Sequence, residues 1–353
     1  MSNKSRILIY TPTYDRSKGI QYRIAMLTKS LLENNHDVLL HKDKQESILR
    51  SFYAYTARFL LQVRSTWTYL GNKIANKILK SKPHPDVVFL TTDVCSGAVK
   101  TIKSYGIKVV LLLEDFSVDW LNIYGSPRKK ILDILTSFAS EADLIITPSK
   151  SFSKRVSEEI GLNTLPVPPG LELQITENEA KTRVYAYRSG KPCILHARQL
   201  ATKQEAELLT IIARKLNNFA EIYALKAGKY YNKVKARNNI VWYHYQSVDE
   251  AMEYLKHCHI GLIVTPRNAP TFTSQWFYFS LLQPVVTITN NCVDDTLWIP
   301  IKDFLEDPQR LQKEVADLTA TYEWNVKRLM QEIKSKYIRH KAHETFVKIL
   351  NEF

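Results

Sequence analysis

Short runs of continuous apolar, mostly β-branched residues recur along this chain, with stretches of helical spacing between them. "RILIY" (Arg6–Tyr10), "HDVLLH", "DVVFLTT", "IKVVLLL" and "DLIITPS" are such runs. A strand wetted on one side alternates apolar and polar residues; a strand without that alternation is covered on both faces. "IQYRIAMLTKSLLENN" follows the first run with Ile20, Ile24, Leu27 and Leu31 at helical steps, the stripe of a helix packed on one side. Strands and helices in alternation build a parallel sheet with helices on both faces. About five or six such units precede Gly170.

The pattern breaks between Pro166 and Pro192, where proline and polar residues displace any helical period. It then restarts: "CILHA", a helix from Lys203 to Leu216, "EIYALKA", "NIVWYH", a helix from Val248 to His257, "IGLIVTP" and "PVVTIT". The chain therefore reads as α/β, two doubly wound (Rossmann-like) domains facing a cleft. Residues 1–170 form the first, 171–190 a linker and 191–320 the second. Residues 321–353 are helical and expected to cross back to the first domain; Trp324, Val326, Leu329, Ile333 and Tyr337 read as their packed stripe.

Composition narrows the function. Of 353 residues 45% are hydrophobic and 24% charged, a globular balance. No apolar run reaches the roughly 18–20 residues a spanning helix needs, and the N-terminus reads as lacking a signal peptide. Cys95, Cys193, Cys258 and Cys292 are widely spaced, so neither a zinc site nor a disulfide is expected and a reducing, cytoplasmic setting is the default. No metal ligand set is expected. With ten glycines, no G-x-G-x-x-G and no Walker lysine motif, the chain departs from ordinary dinucleotide enzymes and P-loop proteins. The net charge of +14 favours phosphate-bearing partners.

From Ser47 to Pro85 there is no acidic residue, and seven are Lys or Arg. Phe52, Tyr55, Phe59, Val63, Trp67, Leu70, Ile74 and Ile78 recur at three- and four-residue steps. Such a helix packs on the first domain's sheet or lies on an anionic membrane surface, making the protein peripheral to it. Single-stranded nucleic acid also suits basic and aromatic residues together, but no helix-turn-helix, RNP or zinc-finger pattern is present, so no specific nucleic acid is expected.

Taken in order, several segments resemble the GT-B glycosyltransferases, specifically the retaining GT4-like group. "TPTYDRSKGIQYRIAML" places Lys18-Gly19 where the group has a glycine loop opening a helix. "LLLEDFSVDW" puts Glu114-Asp115 at a strand end where the group has His-Asp beside the transferred sugar. "ADLIITPSKSF" matches a strand, Pro-Ser and helix, with Ser149 as a helix cap. "ILHARQLATKQEAELL" resembles the opening of the donor domain, "G-R-L-x-x-x-K-G", with Arg198 and Lys203 in the places of its arginine and lysine. "EIYALKAGKYY", containing Gly228, stands where the group has "L-x-I-V-G-x-G".

That resemblance implies GT-B architecture, a nucleotide-sugar donor, and retention without a metal or other cofactor. It assigns the donor diphosphate to Arg198 and Lys203, the sugar to Glu114 and Asp115, and acceptor or phosphate contacts to Lys18 and Gly19. One segment departs from it. "IGLIVTPRNAPTFTSQWFYFSLLQPVV" (Ile260–Val286) occupies the slot of "E-G-F-G-x-x-x-x-E-A-M-A-x-G-x-P-V-V". The two glutamates fall near Ala269 and at Phe277. Thr271, Phe272, Thr273, Ser274 and Gln275 offer hydroxyl, amide and aromatic contacts instead. Three readings stay open: an enzyme using these groups, an enzyme with a different donor, or a GT-B-fold binding protein without catalysis. A basic nucleic-acid-binding protein is a further alternative.

Overall fold

The computed structural model describes residues 4–11, 18–42, 60–114, 128–168, 170–172, 191–196, 200, 202–234, 238–244, 250, 258, 260–263, 286–289, 298–300 and 308–352. The chain forms two compact units. One is built on Met1–Gly170 and Arg339–Phe353, the other on Leu171–Arg267 and Gln275–Ile338.

The first unit holds β1 (Arg6–Thr11), α1 (Lys18–Glu33), β2 (Asp37–Lys42), α2 (Arg64–Leu79), β3 (Val87–Thr91), a 3-10 turn (Asp93–Ala98), α3 (Val99–Lys103), β4 (Lys108–Leu112), α4 (Arg128–Ala139), β5 (Leu144–Thr147), α5 (Lys150–Ile160) and β6 (Leu165–Pro166). Its six-stranded sheet runs β2-β1-β3-β4-β5-β6, and every pairing is parallel. Side chains of a strand point alternately to the two faces, and the core divides accordingly. Leu8, Tyr10, Val88, Leu90, Val109 and Leu111 join one apolar cluster with Trp67 and Phe138. Ile7, Ile9, Val87, Phe89, Val110 and Leu112 join another with Ile24, Leu27 and Leu31 of α1. Covering on both faces is the physical reason these strands carry unbroken apolar runs. Ser149 caps α5 as expected, its side chain accepting from the Phe152 N–H.

The second unit holds β7 (Cys193–His196), α6 (Lys203–Lys215), β8 (Glu221–Leu225), β9 (Ile240–Tyr243), β10 (Ile260–Ile263), β11 (Val286–Thr289), β12 (Trp298–Pro300), α7 (Pro308–Ala320) and α8 (Tyr322–Glu332). Its parallel sheet runs β12-β11-β10-β7-β8-β9. Strand β12 and the short β6 carry no apolar run long enough to announce them in the sequence.

Of the C-terminal helices, α9 (Arg339–Asn351) belongs to the first unit. Helices α7 and α8 pack Leu311, Val315, Tyr322, Val326 and Met330 into the second unit's core. Trp324 departs from the expected stripe: it is 62% exposed, with the Arg328 guanidinium 5.4 Å from its ring. Two positions from Val326 is about 200° around a helix, which turns Trp324 to the opposite side. On the first unit α9 buries Phe346, Val347 and Leu350, and the Phe346 ring meets Phe89 edge to face at 5.7 Å. His343 joins the same contact, with Nδ1 2.7 Å from Ser30 Oγ. The Gly170 N–H donates to His343 Nε2 at 3.1 Å, and Arg339 forks onto Glu33 at 2.5 and 2.7 Å.

One expectation is corrected. Cys193 and Cys258 are paired as a disulfide, their Cα atoms 4.9 Å apart. Cys193 opens β7 and Cys258 lies just before β10, and these strands are neighbours. The crossovers through β8 and β9 separate the pair in sequence by 65 residues, a distance that spacing alone does not read as proximity.

Candidate functional site

In an open parallel sheet, ligands bind beyond the carboxyl ends of the strands, where successive connections diverge to opposite sides. Strand order fixes that point in each unit. In the second sheet β8 and β9 lie to one side of β7 and β10 to the other, so the crevice opens between β7 and β10. The chain leaving β7 carries Arg198, and the chain leaving β10 runs toward Thr271, Phe272, Thr273, Ser274 and Gln275. All six lie outside the described residues.

Lys203 is described. It opens α6, whose start is held by a reciprocal cap: the Glu205 N–H donates to Thr202 Oγ1 at 3.2 Å and the Thr202 N–H donates to Glu205 Oε2 at 2.9 Å. This cap satisfies Glu205, leaving the N–H groups of Lys203 and Gln204 in the helix's first turn beyond the reach of intrahelical carbonyls. A helix start of this kind presents N–H donors and the positive end of the dipole to an anion. The Lys203 side chain is 75% exposed, with Nζ 3.3 Å from Glu207. An exposed pair one helical turn apart holds its lysine only weakly.

Gly228 belongs to this edge structurally. Its φ is +95°, and a Cβ there would come 2.4 Å from the Leu200 carbonyl oxygen. The loop after β8 is strapped onto the segment after β7, by Leu200 N–H to Ala227 O at 3.0 Å and Tyr230 N–H to Leu200 O at 3.1 Å. Only glycine combines that backbone angle with that approach, so Gly228 lets the loop after β8 close onto Leu200.

In the first sheet β2 and β3 flank β1, which puts the crevice at the ends of β1 and β3. Helix α1 begins at Lys18, so Gly19 falls in its first turn. Glu114 follows β4 and is 6% exposed. Its carboxylate is committed to Arg23, with Oε1 2.5 Å from Nε, and Arg23 also donates to the Val167 carbonyl at 3.0 Å. A buried carboxylate is tolerable when paired and hydrogen-bonded. The side chain read as a sugar contact is thus first a structural tie between α1 and the sheet. Asp115 lies outside the described residues.

Sequence reasoning missed two features of this edge. Arg23 sits between Ile20 and Leu27 on the stripe that α1 buries, and a cation on an apolar stripe was the available signal. Thr92, directly after β3, holds φ 130° and ψ 149°, a region a branched residue rarely enters. Asp93 beside it is 2% exposed and accepts from the Val94 N–H at 2.8 Å. No pattern in "FLTTDVC" announces that turn.

The basic aromatic segment resolves differently from a membrane helix. Helix α2 restarts at Arg64 after a break at Leu61–Val63, so the period from 47 to 85 is not one continuous helix. Trp67, Gly71, Ala75 and Ile78 are buried, and Trp67 Nε1 donates to Leu61 O at 2.9 Å. Over α2 the apolar face packs in the core, the first of the two placements read from the sequence. Residues 47–59 lie outside the described set. No helix among the described residues is long and apolar enough to cross a membrane.

No protein-family model matches the sequence, and no curated protein matches it. Solved structures do. Trehalose-6-phosphate from E. coli bound with UDP-2-fluoro glucose aligns over 99% of this chain and 99% of its own, at TM-score 0.68 and 10% identity. A trehalose-6-phosphate synthase studied with bisubstrate glycomimetics for glycosyl transfer with retention aligns over 99% of both chains, at 0.64 and 10%. An alpha-glucosyltransferase in complex with UDP and a 13-mer DNA does so over 99% of both, at 0.56 and 11%. At such identities the likeness is one of architecture, and the architecture, two doubly wound parallel-sheet domains in one chain, is the GT-B fold.

Proposed function

We propose that this protein is a glycosyltransferase that moves a sugar, a hexose by class, from a nucleotide-diphosphate donor to an acceptor hydroxyl. We read it as a divergent relative of the GT4-like group, acting with retention and without a metal. The observation that carries this is Lys203: an exposed ammonium in the first turn of α6, at the edge where β7 and β10 part.

When the bond between the anomeric carbon and the donor's phosphate oxygen breaks, negative charge gathers on the leaving diphosphate. The Arg198 fork, the Lys203 point charge and the first N–H groups of α6 stabilise that charge as it develops. The acceptor hydroxyl gives its proton to the departing phosphate oxygen, so no strong protein base is needed at 269 or 277. Thr273 and Ser274 take the donor contacts that the absent glutamates make elsewhere. With Glu114 held by Arg23, Asp115 is the acid of that pair assigned to the sugar. The UDP and UDP-sugar in two of the structural neighbours support a nucleotide-sugar donor here as well.

Thermal shift against a broad panel of nucleotide sugars, followed by release of nucleoside diphosphate with added acceptors, tests this reading. One donor is expected to stabilise the protein and turn over. Losing one charge-assisted contact in Lys203→Ala or Arg198→Ala is expected to cost about 1.5–3 kcal/mol, roughly ten- to a hundredfold. A wild type that binds no donor sinks the proposal; donor binding without turnover leaves a binding protein in its place.

A further inference from the structure

We infer that the outward face of α2 is a docking surface for the phosphodiester backbone of a nucleic acid. Helix α2 contains no carboxylate, and the acid-free stretch continues from Ser47 to Pro85. Lys73, Lys77 and Lys80 are exposed at steps of four and three residues and so share one side of the helix. At 1.5 Å per residue they cover about 10 Å of axis, the length of about three base-pair steps of a duplex. Beside them Asn76 is exposed, an amide able to hydrogen-bond to phosphate or sugar. Tyr69 is 58% exposed with Lys73 Nζ 4.6 Å from its ring centroid, an aromatic platform beside a cation of the kind bases stack upon.

A Cβ on Gly71 would come 2.1 Å from the Gly97 carbonyl carbon, so α2 and the turn at Asp93–Ala98 meet backbone to backbone. The backbone that carries the lysines is therefore in place before it meets a periodic anion. A membrane surface is the weaker fit. Trp67, Ala75 and Ile78 of α2 are spent inside the core, which leaves lysines, amides, hydroxyls and the amphipathic Tyr69 outward and little apolar surface to enter the acyl region. The chain's +14 charge adds long-range attraction for a polyanion. This inference does not depend on the transferase reading.

The test uses the full chain with fluorescein-labelled 20-residue single-stranded and duplex oligonucleotides of mixed sequence, read by anisotropy from 50 to 200 mM salt. Three phosphate contacts give a slope of about −2.7 in log affinity against log salt, or about a 40-fold loss across that range. Lys73→Gln/Lys77→Gln/Lys80→Gln is expected to remove about that much slope, and the corresponding triple Arg variant to retain it. Unchanged binding in the Gln triple, failure of the Arg triple to bind, or no wild-type binding at 50 mM salt overturns the inference. So does binding to phosphatidylserine vesicles in place of the oligonucleotides.

Discussion

The two strand-end edges share one topology and use charge in opposite ways. In the first unit the charged pair turns inward: Arg23 and Glu114 have side chains only 3% and 7% exposed, and Asp93, after β3, is buried as well. In the second unit Lys203 stands 75% exposed on a helix start built by a tight cap. A buried charge destabilises unless its partner is kept. An exposed one adds little to stability and stays free to meet a ligand. The same kind of residue at the end of the same kind of strand can therefore be a tie or a contact, and exposure decides which.

The largest loss is expected of Arg23→Ala. It strands the Glu114 carboxylate in the interior and removes the donor to Val167, so the loss expected is about 3–5 kcal/mol. Urea denaturation with a probe in the first unit reads it. A paired replacement, Arg23→Met with Glu114→Leu, is expected to recover most of that loss, because an apolar pair of similar volume needs no charge compensation. A loss under about 1 kcal/mol in the single variant would mean that the pair is not a structural tie.

A middle-sized effect belongs to His343, another of the first unit's buried polar groups. Burial first, then the charges of Arg23 and Arg339, lower its pKa from 6.5 to about 3. In the unfolded chain the ring takes a proton below its ordinary value; in the folded chain it resists until far lower. Its contribution is thus fully present above about pH 6.5 and is lost as pH falls toward 3, at about 1.4 kcal/mol per unit. Comparing stability curves of wild type and His343→Gln isolates the effect. Glu33, lowered by its hydrogen bond to Arg339, contributes to both curves and cancels. Between pH 6 and 4.5 the wild type is expected to lose about 2 kcal/mol more than the variant; parallel curves would show that the ring is solvated.

Much of the architecture was readable because burial on both faces writes itself as unbroken apolar runs, as in "IKVVLLL" and "DLIITPS". Between Pro166 and Pro192 proline cannot continue either period, and the two compact units divide at Gly170. What stayed hidden depends on distance through the fold. Arg23 and Glu114 are far apart in sequence and meet only when α1 packs on the sheet. Cys193 and Cys258 meet only when β10 returns beside β7. The sequence could not choose between sheet and membrane for residues 47–85, because an amphipathic stripe is written identically whether its apolar side meets lipid or a sheet; over α2 that side packs in the core. Of the candidate site, the strand–loop–helix around Lys203 was legible because its spacing is local. The structural service of Gly228 was not, since nothing local says that its neighbour is Leu200.

At the second edge the loss of stability should be slight. Lys203→Ala removes an exposed ion pair to Glu207 one helical turn away, worth about 0.3–0.5 kcal/mol. The cap through Thr202 and Glu205 does not involve the lysine side chain, so helix α6 keeps its start. Denaturation midpoints of Lys203→Ala and wild type should therefore nearly coincide, in contrast to Arg23→Ala. If Lys203→Ala unfolds with a loss above about 1 kcal/mol, its ammonium belongs to the structure, and the second edge would be built like the first. If stability holds while the shift given by a bound nucleotide sugar shrinks, the charge is kept for the ligand, which is the distinction between the two edges expressed in one side chain.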